Sequence, residues 1–140
     1  MSKSNAAETA ILQLIFNGDT FANIADDTVT APATSLSVAL HTADPGEGGT
    51  QLTNEVAYTS YTRVNVARTT GGWTVAADTV NPASTISFPT GTGGSGTATH
   101  WSVGTGVGNV ILYSGTISPT IVLGDGITPQ LTTATSITEG

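Results

Sequence analysis

Leu36, Val38 and Leu40 alternate with Ser37, Ala39 and His41, and the run stops at Asp44-Pro45-Gly46. An apolar residue at every second position is the period of a strand with one face on a core, the other face here being mixed. Asp bonds its own backbone, Pro presets φ at the first corner, and Gly takes positive φ, so a tight turn ends the strand. The same pattern recurs downstream. In residues 61–68, Val64 and Val66 share one face, with Arg63 and Asn65 on the other. Gly71-Gly72 is a turn, Trp73-Thr74-Val75 a short strand, and Asn81-Pro82 a chain break. Ile86 and Phe88 share a face before Pro89, and Trp101 and Val103 share one opposite His100. Residues 110–117 are strongly apolar and read as a central strand; residues 121–123, a Gly124-Asp125-Gly126 turn and residues 127–137 close the chain. Roughly eight strands with turns every 8–12 residues indicate a sandwich or barrel. The expected fold is all-β: an antiparallel Greek-key sandwich, jelly-roll-like, with one short N-terminal helix.

That helix comes from residues 5–16. Asn5-Ala6-Ala7-Glu8 fits a capping box, Ala7, Ile11, Leu14 and Ile15 fall on one face, and Asn17-Gly18 is a stop. Leu12 and Phe16 widen the apolar face, which suits packing on the sheet, on a neighbouring subunit, or on both. Glu8 and Gln13 argue against a secretory leader here. Residues 19–34 are a polar connector with two apolar anchors, Phe21 and Ile24. The expected division is residues 1–34 as helix and connecting arm, and residues 35–140 as the β-sandwich.

Composition narrows the function classes. Charged residues make up 9% of the chain, against about 25% in ordinary globular proteins. The bases are Lys3, Arg63 and Arg68, and the net charge is −7. Three scattered bases make no footprint for a phosphate backbone or an anionic lipid surface. No apolar run reaches the roughly 20 residues of a membrane span, and there is no cysteine for disulfide or thiolate chemistry. A polar but uncharged surface suits hydroxyl-bearing outer strand faces and also contact with other proteins, since interface cores are depleted in charge.

Candidate chemistry is sparse. His41 and His100, with Asp44, Glu47 or Glu55, lack a metal-ligand spacing and read as histidines hydrogen-bonded on strand faces. Ser, His and Asp are present, but no G-x-S-x-G elbow is. The glycine-rich stretches 91–96 and 104–108 carry no Walker lysine and open no helix, so they read as loops between strands. Asp26-Asp27 and Asp125 lack the D-x-D-x-D-G pattern of a calcium loop and read as solvated turns. Trp101 and Phe88 are assigned to the core, and Tyr58 and Tyr61 to core or contact. Arg63 and Arg68 should each find a carboxylate, within the subunit or on a partner.

Several segments fall in a recognisable order: residues 36–46, Tyr61-Thr62-Arg63-Val64, Gly72-Trp73-Thr74-Val75, Asn81-Pro82-Ala83, Ile86-Ser87-Phe88-Pro89, residues 99–104, and Leu112-Tyr113-Ser114-Gly115. Over about residues 35–130 the chain resembles a family of small virion proteins of tailed bacteriophages, labelled head decoration (cement), minor tail or tail-fibre proteins. The resemblance implies a structural protein without catalytic residues or cofactors. The leading expectation is a decoration protein on the outer surface of the head, made in the host cytoplasm, that stabilises the assembled lattice by binding it. Its partners would be the major capsid protein and itself, as a trimer rather than a dimer, with no nucleic acid and no membrane. The contact residues would be Ile11, Leu12, Leu14, Ile15, Phe16 and Phe21, with Arg63 and Arg68. The alternative is a tail-fibre or tail-tip domain that recognises a host surface.

Overall fold

The structure, a computed structural model, describes residues 2–16, 20–22, 24, 33–76 and 79–138, apart from the side chains of residues 2, 8 and 12–16. The chain runs through β1 (Ser2–Lys3), α1 (Asn5–Phe16), β2 (Ser35–His41), β3 (Val64–Ala67), β4 (Trp73–Ala76), β5 (Thr79–Pro82), β6 (Ile86–Ser87), β7 (Ser95–Gly104), β8 (Ile111–Gly124), β9 (Gln130–Leu131) and β10 (Ile137–Thr138). All pairings are antiparallel. A five-stranded sheet has the order β1-β8-β7-β2-β3, a three-stranded sheet the order β10-β5-β4, and β6 pairs with β9. The fold is an all-β sandwich with one short helix.

The core lies between the large sheet and the small ones. Val38, Leu40, Trp101, Val103 and Leu123 of the large sheet meet Trp73, Ile86, Leu131 and Ile137 of the small sheets, with Val56, Tyr58 and Phe88 filling between them. Tyr58 and Phe88 both flank Tyr61, one edge-on with ring centroids 5.4 Å apart and the other stacked at 6.2 Å. Trp101 and Phe88 are core residues as their patterning indicates, and Tyr58 joins them with its hydroxyl donating to Pro89 O at 2.7 Å. Asp44-Pro45-Gly46 is a turn: Gly46 has φ +72° and its N–H donates to Asp44 Oδ1 at 2.8 Å.

Several elements differ from the sequence reading. The apolar run at 110–117 is not the middle strand; β7 is, because β2 and β8 pair with its two edges while only two residues of β1 lie beyond β8. The segments read as two strands, 110–117 and 121–123, belong to one strand, β8. The ladder jumps from His100↔Thr116 to Ala98↔Ile121, so residues 117–120 protrude opposite Thr99, with a cis peptide between Ser118 and Pro119. Asn81-Pro82 ends a strand instead of interrupting the chain. Pro82 pairs with Trp73 at the end of β5, beyond the reach of β10, so its missing N–H removes no bond from that neighbour. Residues 105–110 form the tight connection from β7 to β8, with positive φ at Gly106, Gly108 and Asn109, and Gly104 of the stretch read as a loop ends β7.

The N-terminus also differs. Ser4, not Asn5, caps α1: Ala7 N donates to Ser4 Oγ at 3.1 Å, the third amide of the helix, while Asn5 is exposed. Ala7 stands where a capping box would need Glu or Gln. Ser4 is buried because it faces β8: its hydroxyl donates to Ile111 O and its N–H to Leu112 O. A serine fits this place because one small hydroxyl donates to a strand carbonyl and accepts from a helix amide at once. The helix then packs on β8, with Ala7 buried and Ile11 half-buried. The expected Asn17-Gly18 stop lies outside the described residues. Ser4→Ala should destabilise the protein by about 1–3 kcal/mol, through the lost cap and the orphaned carbonyl. Asn5→Ala should change stability by less than about 0.5 kcal/mol. Thermal unfolding followed by circular dichroism separates the two, and a larger loss at Asn5 would return the cap to that residue.

Candidate functional site: a sealed polar centre and two open grooves

On the face of β2 and β7 that turns away from the core, the loop 42–56 folds back over the sheet. Residues 54–56 run along β2 through Val56 N to Leu40 O (3.0 Å), Thr42 N to Asn54 O (2.7 Å) and the His41↔Glu55 bridge. The loop seals a layer of polar residues: His41, Gln51 and Ser102 are each 0% exposed. His41 Nδ1 lies 2.8 Å from Thr53 O, and a carbonyl only accepts, so Nδ1 carries the proton. Nε2 is then the acceptor for the Ser102 hydroxyl at 2.8 Å. Gln51 Nε2 donates to Ser37 O at 3.0 Å and to Ser102 Oγ at 3.4 Å. A serine and a histidine thus stand in the geometry of a nucleophile and its base. The histidine is oriented by a carbonyl instead of a carboxylate, and no substrate reaches a serine with no exposed surface. The pair is a structural bond.

Arg63 closes the rim of this layer. Its Nε donates to Glu55 Oε1 at 2.7 Å and its Nη2 to Glu55 Oε2 at 2.8 Å, while Nη1 reaches Asn109 Oδ1 at 2.8 Å and Gln51 Oε1 at 3.3 Å. One guanidinium therefore ties together β3's approach, the 42–56 loop and the β7–β8 connection, a task its planar fork suits. Tyr61 adds a second link: Leu40 N donates to its hydroxyl at 3.1 Å, and that hydroxyl donates to Glu55 Oε1 at 2.9 Å. The hydrogen bonds to Glu55, with its charge, raise the Arg63 pKa. Burial raises that of Tyr61, and burial lowers that of His41.

Two open grooves flank the sandwich. One, of about 650 Å³, lies between the 117–120 protrusion and residues 130–136. Hydroxyls of Thr116, Ser118, Thr120, Thr132 and Thr135 and the Gln130 amide line it above Trp101, Ile117 and Ile121, and no charged side chain does. The other, of about 350 Å³, is apolar and lies between β4, β5 and β10 of the small sheet and Leu36, Val103 and Leu112 of the large one, with Arg68 at its margin.

The residues expected to make contacts lie on α1, at Phe21, and on either side of β3. Ile11 is half-buried on α1, and the side chains of Leu12, Leu14, Ile15 and Phe16 lie outside those described. Phe21 is half-buried, its carbonyl accepting from Ile24 N at 2.8 Å. Arg63 finds its carboxylate within the chain. Among the described residues Arg68 donates to two carbonyls, Ile24 O at 2.8 Å and Ala33 O at 3.2 Å. His41 is saturated by Thr53 and Ser102, and His100 Nδ1 lies 2.9 Å from Thr99 Oγ1. No three His, Asp or Glu side chains gather among the described residues. Of the stretch 91–96 read as a loop, residues 91–94 are held down by Gly91 N to Ile127 O (2.9 Å) and Thr92 N to Thr59 O (3.1 Å), while Ser95 and Gly96 open β7; Asp125 is exposed in its turn. Asp26 and Asp27 lie outside the described residues. Sequence reasoning missed Gln51 and Ser102, which carry no motif, and both grooves, which bring distant segments together.

The polar centre makes stability depend on pH. Folded His41 resists a proton that the unfolded chain accepts near the ordinary value of 6.5. Its contribution is therefore complete above about pH 6.5 and is lost as pH falls below it. Melting temperature should drop between pH 7 and pH 5, and His41→Gln, though less stable at pH 7, should show a shallower drop. Glu55→Ala leaves a part-buried guanidinium without its carboxylate and should cost about 1–3 kcal/mol in denaturant unfolding, between the limits for exposed and buried pairs.

Comparison with known proteins gives one family. The family model described as "Podophage GP4 fiber I protein gp80" matches residues 2–135, from β1 to the last turn before β10. No curated protein matches the chain. With the match spanning nearly its whole length, this all-β chain belongs to the podophage GP4 fiber I protein gp80 family, a family of phage structural proteins.

Proposed function

We propose that the protein is a structural module of a tail fibre, and that the hydroxyl-lined groove beside residues 117–120 is the surface it turns outward. The observation that carries this reading is the match to a fibre family over residues 2–135. It favours the tail-fibre alternative over decoration of the head. The sealed layer around His41 fits a mechanical role: its polar groups are saturated within the chain and hold loops to the sheet. The groove is formed where β8 leaves its ladder, and such irregularities re-aim side chains at the surface. Its neutral hydroxyls and amide match the uncharged, polyhydroxylated groups of a cell surface, which need hydrogen-bond partners of both kinds.

The direct test is location. Heads and tails of purified virions are separated and the protein quantified in each by mass spectrometry. It should travel with tails, at a copy number far below that of the major capsid protein. Copies on heads in numbers comparable to that protein would instead establish decoration. Thr120→Arg with Thr135→Arg should fill the groove with charge, leaving particle assembly intact and lowering adsorption to host cells at least tenfold. Normal adsorption would remove the groove from the proposal.

A further inference from the structure

We propose that the loop 42–56 is an acid-released latch: protonation of His41 beneath it frees the loop from β2 and β7 while the rest of the sandwich stays folded. The latch acts apart from both grooves, neither of which takes a lining residue from this loop.

The closed layer has no place for a second proton on His41. Nδ1–H already donates to Thr53 O, and Nε2 accepts from the Ser102 hydroxyl. A proton on Nε2 turns that acceptor into a donor. The Ser102 hydroxyl must then turn away, and its other partner, the Gln51 amide at 3.4 Å, is itself a donor. His41, Ser102 and Gln51 have no exposed surface, so bulk water does not stand in. The charge is the heavier penalty, because an ion in a sealed layer loses its hydration. The charged neighbours do not offset it. Glu55, on the loop, favours a charge on the ring, but its carboxylate is already taken by Arg63 and Tyr61. Arg63, on the approach to β3, opposes that charge, and so does His100, directly across on β7. Like charges opposite one another on paired strands are destabilising. The loop's other acids, Asp44 and Glu47, are exposed.

The loop is the part that yields. None of residues 43–55 belongs to the apolar core, and Leu52, at the loop's outer bend, is 63% exposed. What holds the loop is polar: the Thr53 carbonyl on His41, the Gln51 amide on Ser37 O, Val56 N on Leu40 O, and Glu55 on Arg63. β2 and β7 are paired from Ser37↔Gly104 to His41↔His100 and bury Val38, Leu40, Trp101 and Val103 on the other face. Lifting the loop breaks hydrogen bonds and lets water reach the imidazolium; opening the sheet would expose the core as well. Segments with few buried apolar contacts open at lower free energy than the core. Closure resists a proton that the open loop accepts near the ordinary 6.5, so each pH unit below that value favours opening by up to about tenfold. Opening also cuts the tie from Gln51 N to Asn109 O, so the β7–β8 connection is released with the loop.

The test is amide hydrogen exchange of the full chain at pH 7 and pH 5, read by mass spectrometry, with each rate divided by the intrinsic rate at that pH. Peptides covering residues 50–56 should lose protection by at least about fivefold at pH 5, while those of β7 and β8 keep theirs. In His41→Gln the loop's protection should be the same at both pH values. The imidazole of the unaltered chain, followed by NMR, should take up its proton over the same pH range in which the loop opens; this second measurement decides the matter if His41→Gln does not fold. Loop protection that is unchanged at pH 5 overturns the proposal. So does simultaneous loss of protection in β7 and β8, which is global unfolding, or a loop that still opens in His41→Gln, which assigns the effect to Glu55. An imidazole that stays neutral while the loop opens overturns it too.

Discussion

Strand β2 is covered on both faces, and much of the architecture follows from that constraint. One face, Leu36, Val38 and Leu40, lies on an apolar core and needs only volume to fill it. The other, Ser37, Ala39 and His41, carries hydrogen-bonding groups that would lose water without replacement. Buried polar groups are tolerated only when partnered, and here the partners come from a loop that must fold back to supply them. Gln51 and the Thr53 carbonyl satisfy Ser37, Ser102 and His41. The Arg63–Glu55 pair then holds that loop in place. Removing a member of this layer leaves its partner buried and unsatisfied, which is costlier than losing one surface bond.

This arrangement separates holding together from making contacts. The groups with chemical potential, a histidine, a serine, an ion pair and two tyrosines, are turned inward and saturated. The two open grooves carry no carboxylate: hydroxyls and an amide line one, mainly apolar side chains with Arg68 at the margin line the other. For a fibre component that is a coherent division.

The strands at 35–41 and 73–76, residues 97–103 of β7, and the turns at 44–46 and 124–126, were legible because alternation and turn chemistry are local properties. The cap of α1 was misplaced by one residue. Ser4 and Asn5 are equally good caps in isolation, and only β8, whose Ile111 carbonyl accepts from Ser4, distinguishes them. Pro119 divides the apolar pattern of β8, so one protruding strand reads as two. Arg63 was legible as a cation in need of a carboxylate; which carboxylate was not, because Glu55 reaches it through the fold of the 42–56 loop.

The amino-acid sequence by itself determined the class: period-two alternation, glycine-rich turns, scarce charge and no cysteine lead to an all-β domain, and an ordered series of short segments leads to phage virion proteins. Tertiary structure decided which polar residues are sealed and which surfaces stay open. Ser102 closes on His41 from sixty-one positions away, and residues 116–122 meet residues 130–136 to make a groove. Those outcomes rest on long-range strand pairing, whose register is set by burial of whole faces and leaves no mark in any short stretch of chain.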